Sequence, residues 1–249
     1  MSLRETLKRS EAIVGAVKDT RNFVSAVRHN NSFGSNGRLI RHYLKTHPIA
    51  KLQIGAGFNV LEGWLCTDLS PRYESGVFLD ATKRFPFADR TFDYVYSEHM
   101  IEHICWKDGL FMLRECRRVL KPGGKIRVAT PDLKVLLDLY AGTPGPVGEQ
   151  YIHWITDKFL EGVPVYKPQF VINNAFDNWG HRFLYDAEVM TMALREAGFD
   201  AIRQVRTGES DDPQLKGLES HGKYIEDDLM ADFETMVFEA TCVDKPVGN

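Results

Sequence analysis

A chain of 249 residues, 43% apolar and 26% charged, has the composition of a soluble globular protein and excludes a disordered or fibrous one. Its formal net charge of −3, from 31 basic against 34 acidic residues, lacks the positive excess of a nucleic-acid binder. The polar N-terminus carries no apolar stretch of signal-peptide length, and no apolar run approaches the ~18 residues of a membrane span, so the expected setting is the cytoplasm.

In chain order, Leu3, Leu7, Val14, Val17 and Val24 mark one stripe of a helix over residues 3 to 28. That stripe suits packing on the following domain, the seam of a homodimer, or a basic surface anchor. Asn30 to Gly37 reads NNSFGSNG, turn chemistry expected to form a joint. Residues 1–37 are therefore an N-terminal helix and joint, and 38–249 a single domain.

From Lys51 onward short apolar strands alternate with helical or turn segments, which predicts an α/β fold with a mostly parallel sheet covered on both faces. Seven strands are expected, at 51–55, 64–68, 77–80, 92–97, 125–130, 201–207 and 235–243. A helix over 107–120 should stop at Lys121-Pro122-Gly123-Gly124, which cannot continue it. Two stretches resist this rhythm, 141–180, rich in Gly, Pro and aromatics, and the acidic 208–234. Both are expected to be long loops that serve as lids or binding surfaces.

Charge is unevenly placed: residues 1 to 50 hold nine Lys/Arg against three acids, and 208 to 234 hold nine acids against two lysines, so the two ends are expected to attract each other. The four cysteines, Cys66, Cys105, Cys116 and Cys242, form no C-x-x-C pair and read as reduced thiols.

The chemistry concentrates where strands end. Lys51-Leu-Gln-Ile-Gly55-Ala56-Gly57 is a strand running into two glycines, where a ligand can approach the backbone closely. Such turns serve nicotinamide, flavin and sulfonium cofactors, or shape alone. A dinucleotide fingerprint needs a third glycine at its sixth position, occupied here by Val60, and an acid about 20 residues on, whereas Asp68 follows Gly55 by only 13. An oxidoreductase is thereby disfavoured. Asp68 closes the second strand, Asp80 ends the third, and Ser97-Glu98-His99 closes the fourth, which lines one sheet edge with polar groups.

The motifs KLQIGAG at 51–57, GWLCTDLSP at 63–71, DATKRFPFADRTFDYVYSEHMIEH at 80–103 and RECRRVLKPGGKIRVATPDL at 114–133 resemble class I S-adenosylmethionine-dependent methyltransferases. The segments at 178–199 and 208–221 resemble a bacterial subfamily of methyltransferases whose members often lack an assigned substrate. The resemblance implies a Rossmann-like three-layer αβα sandwich with S-adenosylmethionine as cofactor. It implies that Gly55, Ala56 and Gly57 lie along the methionine part, and that Asp68 holds the ribose with Leu69 beside it. Asp80 and Ala81 would border the adenine, and Ser97 would close the methionine side. The short path from Gly55 to Asp68 leaves room only for a turn where the family has its first helix.

His99-Met-Ile-Glu102-His103 also matches the H-x-x-E-H spacing of a zinc-protease helix, but no third ligand is identifiable in the sequence and no metal is assigned. The histidines are expected beside the sulfonium, one facing the acceptor, or in a purely structural role. The segment 141–180 is expected to wall the acceptor pocket with Tyr151, His153, Trp154, Tyr166, Phe176 and Trp179, and with Asn173, Asn174, Asp177 and His181, unless it is a satellite core. The implied reaction is in-line methyl transfer to a hydroxyl or amine of a small-molecule or glycan-type acceptor, with His181, His99 and His103, in that order, as candidate bases. A non-catalytic scaffold that docks a partner through the basic N-terminal helix is the rival.

Overall fold

In the computed structural model, residues 33–244 except 72 and 74 are described. The amphipathic stripe at 3–28 lies outside them. The described chain begins with helix α1 (Phe33–Thr46), so the expected joint gives way to helix from Phe33 onward. The glycine at 37 is tolerated there because an exposed helix bears its cost of about 1 kcal/mol. Tyr43 of α1 anchors the helix on the sheet: its hydroxyl donates to the carbonyl of Lys51 at 2.9 Å and that of Gly63 at 3.0 Å.

Seven strands form one sheet in the order β3-β2-β1-β4-β5-β7-β6. They are β1 (Lys51–Ile54), β2 (Leu65–Asp68), β3 (Val77–Phe78), β4 (Phe92–Glu98), β5 (Leu120–Pro131), β6 (Phe199–Val205) and β7 (Thr235–Cys242). Strands β1 to β5 pair in parallel, and β7 enters antiparallel between β5 and β6. The expected α/β, Rossmann-like architecture is thus the one observed. Side chains such as Leu52, Ile54, Val95, Ile126 and Val128 are buried in one core with side chains of the helices that cover that face.

Helices α2 (Trp106–Val119) and α6 (Ala187–Glu196) cover one face through Met112, Leu113, Cys116, Met190 and Leu194, all fully buried. The helix stops at Val119, ahead of the Lys121-Pro-Gly-Gly corner, and β5 begins at Leu120 rather than at the expected 125, taking the corner as an excursion of the strand: the register to β4 jumps from Phe92↔Leu120 to Tyr94↔Lys125. Gly123, at φ 80°, supplies the left-handed turn that the excursion requires.

Of the two stretches expected to be loops, 141–180 is largely helical and 208–234 is helical only in its second half. Between β5 and α6 lie α3 (Leu133–Tyr140), α4 (Gly145–Phe159) and α5 (Pro168–Asp177), and within 208–234 lie α7 (His221–Ile225) and α8 (Asp228–Glu234). Together they bury a second core of Leu136, Leu139, Tyr151, Ile155, Val171 and Met230 above the carboxyl edge of the sheet.

Residues 208–220 form a strap across the opposite sheet face. Leu215 is fully buried with Ala56, Trp64, Cys66 and Tyr96. The strap's acids find their cations on and around the sheet, with Asp212 on Lys125, Glu219 on Arg127 and Asp211 on Arg203, while Glu226, further along, pairs with Lys158. Those are its ion pairs among the described residues, and most of the basic N-terminal part to which it was expected to be attracted lies outside them. Arg127 is the centre: its wholly buried guanidinium is gripped by both oxygens of Glu219 at 2.5 and 2.9 Å, by Glu239 at 2.6 Å and by the Glu209 carbonyl at 2.8 Å.

The four cysteines are all free thiols, and among the described residues no helix is long and apolar enough to cross a membrane.

Truncating Arg127 to Met leaves Glu219 and Glu239 buried without their counter-ion, so a loss of about 3 to 5 kcal/mol in urea unfolding is expected. A pH dependence follows from Glu115. Burial raises its pKa, but the hydrogen bonds from Arg118 and from the Phe85 amide outweigh this and hold it below the usual value of 4.5. A depressed carboxylate stabilises above its unfolded pKa and loses that contribution as pH falls through the folded one. The Glu115→Gln variant is expected to be less stable than the parent at pH 7, and the gap should narrow by pH 3.

Candidate active site

The parallel order brings the carboxyl ends of β1, β2, β3, β4 and β5 to one edge, with the glycine turn, Asp68, Asp80, Glu98 and Asp132 along it. A cavity of about 710 Å³ opens there, between the glycine turn and the helices above. Its volume lies within the ~300 to 1,000 Å³ of small-molecule sites.

At the sheet end, Gly55 and Gly57 adopt left-handed φ of 69° and 53°. A Cβ on Gly55 would meet Met100 Cγ at 2.3 Å, whereas one on Gly57 would enter open space. The first glycine is a packing requirement and the second keeps the cavity clear. Only turns join β1 to β2, in agreement with the short path to Asp68. The Asp68 carboxylate accepts from the Gly57 amide at 3.0 Å and from the Ser70 amide at 2.7 Å, so it shapes the glycine turn directly.

Gly55, Ala56 and Gly57 line the cavity, and Asp68 adjoins it through Gly57. Leu69 is 41% exposed beside it. Asp80 accepts from the Thr82 amide and hydroxyl at 2.9 and 2.7 Å and so caps the turn after β3 that holds Ala81. Ser97 is buried in β4 with its hydroxyl unpartnered, one register position from the glycine turn, opposite Ile54. The open space at Gly57 and this orphan hydroxyl fit a polar ligand laid along the turn.

Glu98 ties the two halves together. Its carboxylate accepts from the amides of Ser220 at 2.7 Å and His221 at 2.9 Å, and from Asn59 Nδ2 at 3.1 Å. One side chain therefore joins the sheet, the glycine turn and the start of α7. The sequence marks Glu98 only as a polar residue at a strand end; its link to Ser220 and His221 depends on residues more than 120 positions away.

The far wall carries the histidines in two groups, His99–His221–Glu234 and Glu102–His103–His181, each with ligating atoms within 4.8 Å of one another. His99 and His103 do not share a helix face, because His99 turns into the left-handed region at φ 44° and Ile101–His103 is one 3-10 turn. The zinc-protease arrangement is therefore absent. The His99 ring stacks on His221 at 3.7 Å, and its Nε2 lies 3.0 Å from Thr235 Oγ1. His221 Nε2 lies 3.1 Å from Glu234, which also accepts from the Tyr151 hydroxyl.

Burial works against a charged His99, but Glu102, Glu234 and Glu98 outweigh it and raise its pKa. Burial likewise opposes ionised Glu234 and Glu102, yet the neighbouring histidines hold both below the usual carboxylate value. Burial lowers the pKa of His181, which favours its neutral ring, and its Nδ1 has no hydrogen-bond partner.

Among the expected acceptor-wall residues, Tyr151, Trp154, Trp179 and His181 line the cavity, joined by Phe159 and Leu136. Asn174 is buried beneath them and bonds to Asn178. His153 and Tyr166 stack on each other on the outer surface, and Phe176 is half exposed. Asn173 bonds back to Gln169 within α5, and Asp177 ends that helix, exposed. The stretch is both a satellite core and a wall, because one face of α4 packs while its end meets the cavity.

The strand order and the crevice at the carboxyl edge agree with the resemblance to class I S-adenosylmethionine-dependent methyltransferases. The family model described as "Methyltransferase domain" matches residues 67–128, from β2 into β5, and the cofactor of this class is S-adenosylmethionine. The chain is similar to a phosphoethanolamine N-methyltransferase of Triticum aestivum, 31% identical over 156 residues. That match covers 61% of this chain and 23% of the relative, so the chain spans about a quarter of the curated relative's length.

Among solved structures it resembles a Haemonchus contortus phosphoethanolamine N-methyltransferase 2, at 15% identity and TM-score 0.46, covering 85% of this chain and 53% of that one. It also resembles a SAM-dependent methyltransferase from Archaeoglobus fulgidus, at 15% identity and TM-score 0.47, covering 83% and 92%.

Replacing Glu98 by Ala frees the amides of Ser220 and His221. Hydrogen exchange read by mass spectrometry should then be faster over 219–225 and unchanged in β5 and β7.

Proposed function

We propose that this chain transfers the methyl group of S-adenosylmethionine to a hydroxyl or amine of a small-molecule or glycan-type acceptor held against the wall of His103, His181, Trp154 and Trp179. The observation that supports this reading above others is the continuity of the cavity, which runs from the glycine turn to a wall of aromatic rings and imidazoles. One end offers clear backbone and the other offers polar groups that can orient a nucleophile.

When bound, S-adenosylmethionine supplies a sulfonium methyl with a thioether as leaving group. Gly55, Ala56 and Gly57 would lie along its methionine part, Asp68 and Leu69 by its ribose, Asp80 and Ala81 by its adenine, and Ser97 behind. The Asp68 carboxylate, already oriented by two amides, retains lone pairs for a ribose diol. The chain's main contribution is to fix the acceptor in line with the methyl, an effect of up to ~7 to 11 kcal/mol. His181 stands first as proton acceptor, since its unpartnered Nδ1 belongs to a cavity-lining residue. His103 lines the same wall. His99 comes after both, because its Nε2 is engaged by Thr235 and its ring is covered by His221.

The cavity wall includes Glu102, Asp132 and Glu234, with Lys223 as its lysine. That balance suits an amine or a neutral polyol. The similarity to a phosphoethanolamine N-methyltransferase makes phosphoethanolamine one acceptor to assay.

The test is incubation with methyl-labelled cofactor and panels of amines, polyols and glycans, with mass identification of any labelled product. A labelled product supports the reading. Failure of calorimetric titration to detect S-adenosylmethionine binding overturns it in favour of a scaffold. Replacing Asp68 by Ala is expected to weaken cofactor binding by about 1.5 to 3 kcal/mol, as for loss of a charged acceptor. The His181→Ala variant is expected to lose about 10² to 10⁴-fold in kcat with cofactor affinity retained.

A further inference from the structure

The spacing of His99, Glu102 and His103 left a metal reading without a third ligand, and the fold supplies one from 78 positions downstream of His103. His181 is brought beside Glu102 by main-chain bonding: the amides of Arg182 and Phe183 donate to the Glu102 carbonyl at 2.7 and 3.2 Å. The His103 amide in turn donates to the Met100 carbonyl at 3.0 Å, which closes the 3-10 turn that presents Glu102 and His103 together. The three side chains thus sit on two short segments stitched to each other.

Two of the three groups have an unmet valence. Glu102 is wholly buried, and its Oε2 accepts from Thr130 Oγ1 at 3.0 Å. Its Oε1 makes no hydrogen bond and is met by His99 Nδ1 as an ion pair at 3.4 Å, which leaves it a lone pair for a further partner. His181 Nδ1 is buried without a partner as well. Orphaned buried acceptors are rare and call for an occupant. The neighbouring group, His99–His221–Glu234, is instead already bonded to Thr235 and Tyr151 and behaves as a hydrogen-bond network.

We propose that Glu102, His103 and His181 form a three-ligand site for a divalent transition-metal ion, of the Zn²⁺ or Co²⁺ kind, with its open coordination position facing the cavity. Two imidazoles and one carboxylate are a donor set that such ions accept while leaving room for a water or substrate. Tetrahedral bonds of about 2.1 Å place ligands roughly 3.4 Å apart. The present spread, up to 4.8 Å, closes by rotation of His103, which is exposed at the rim. Thr130, bonded to the other oxygen of Glu102, orients the carboxylate from behind, as outer partners of metal ligands do.

The binding itself stands on these residues alone, while the role of the ion rests on the methyltransferase reading. An acceptor hydroxyl on the open position would release its proton to solvent. Its oxygen lone pair would form the O–CH₃ bond as the C–S bond breaks and returns its electron pair to sulfur, leaving S-adenosylhomocysteine and the ion unchanged. His181 would then act as ligand, and acidification of the hydroxyl by the ion would replace proton uptake by the ring.

The experiment uses the untagged chain, stripped with chelator and titrated with Co²⁺. Expected is one equivalent bound, with visible absorption bands of a low-coordinate site, displaced by Zn²⁺. His103→Ala, an exposed position that preserves folding, and His181→Ala should each weaken binding at least tenfold, and His221→Ala should not. Absence of stoichiometric binding, or binding unaffected by His103→Ala and His181→Ala, overturns the proposal. So does binding lost in His221→Ala alone. Calorimetric titration of the same stripped protein with S-adenosylmethionine separates the two readings: cofactor binding without Co²⁺ binding removes only the metal, and the reverse removes only the methyltransferase assignment.

Discussion

The buried guanidinium of Arg127 is the interaction on which the placement of the site depends. It sits in β5 at the middle of the sheet and draws Glu219 of the strap and Glu239 of β7 onto one cation. Burying such a charge is costly, and only a full set of acceptors offsets the cost. Once Glu219 is fixed, Ser220 and His221 follow it in the chain and arrive at Glu98, which receives their amides. His221 then lies flat on His99, and Glu234 closes against it. A single ionic centre beneath the sheet thereby sets the position of one wall of a cavity above its edge.

The cavity divides its labour along its length. Near the glycine turn the wall is backbone and small residues, where additional side-chain bulk would collide or obstruct. Farther out the wall is aromatic and ionisable, built by helices that belong to a separate core. The sheet end is therefore held by strand pairing, while the outer end is held by packing of α3, α4 and α5. Changes in the outer helices can alter what the pocket admits without disturbing the turn that follows β1.

The alternation of strands and helices, the seven-strand sheet and the polar residues at strand ends were legible in the sequence because short apolar runs carry an unmistakable period. The turn in place of a first helix was legible from the spacing between Gly55 and Asp68. The helices of 141–180 were misread as loop, although Val147, Tyr151, Ile152, Ile155 and Phe159 lie on a helical stripe. Pro146 and Pro168 sit in the first turns of α4 and α5, where proline costs nothing. Glu98 and the partnership of His181 with Glu102 were not legible, since both depend on contacts between residues some 80 to 120 positions apart.

With no helix between β1 and β2, the sheet face beneath Trp64, Cys66 and Tyr96 is sealed by Leu215 of the strap. Leu215 fills core volume there, so the acidic 208–220 stretch, expected as a lid or a binding surface, also serves as the cover of that sheet face. The stacked pair of Phe58 and Tyr224, 66% and 69% exposed, stands at the mouth of the crevice between the glycine turn and α7. Tyr224 also stacks with His221, so the pair of rings joins the glycine turn to the histidine wall across that opening.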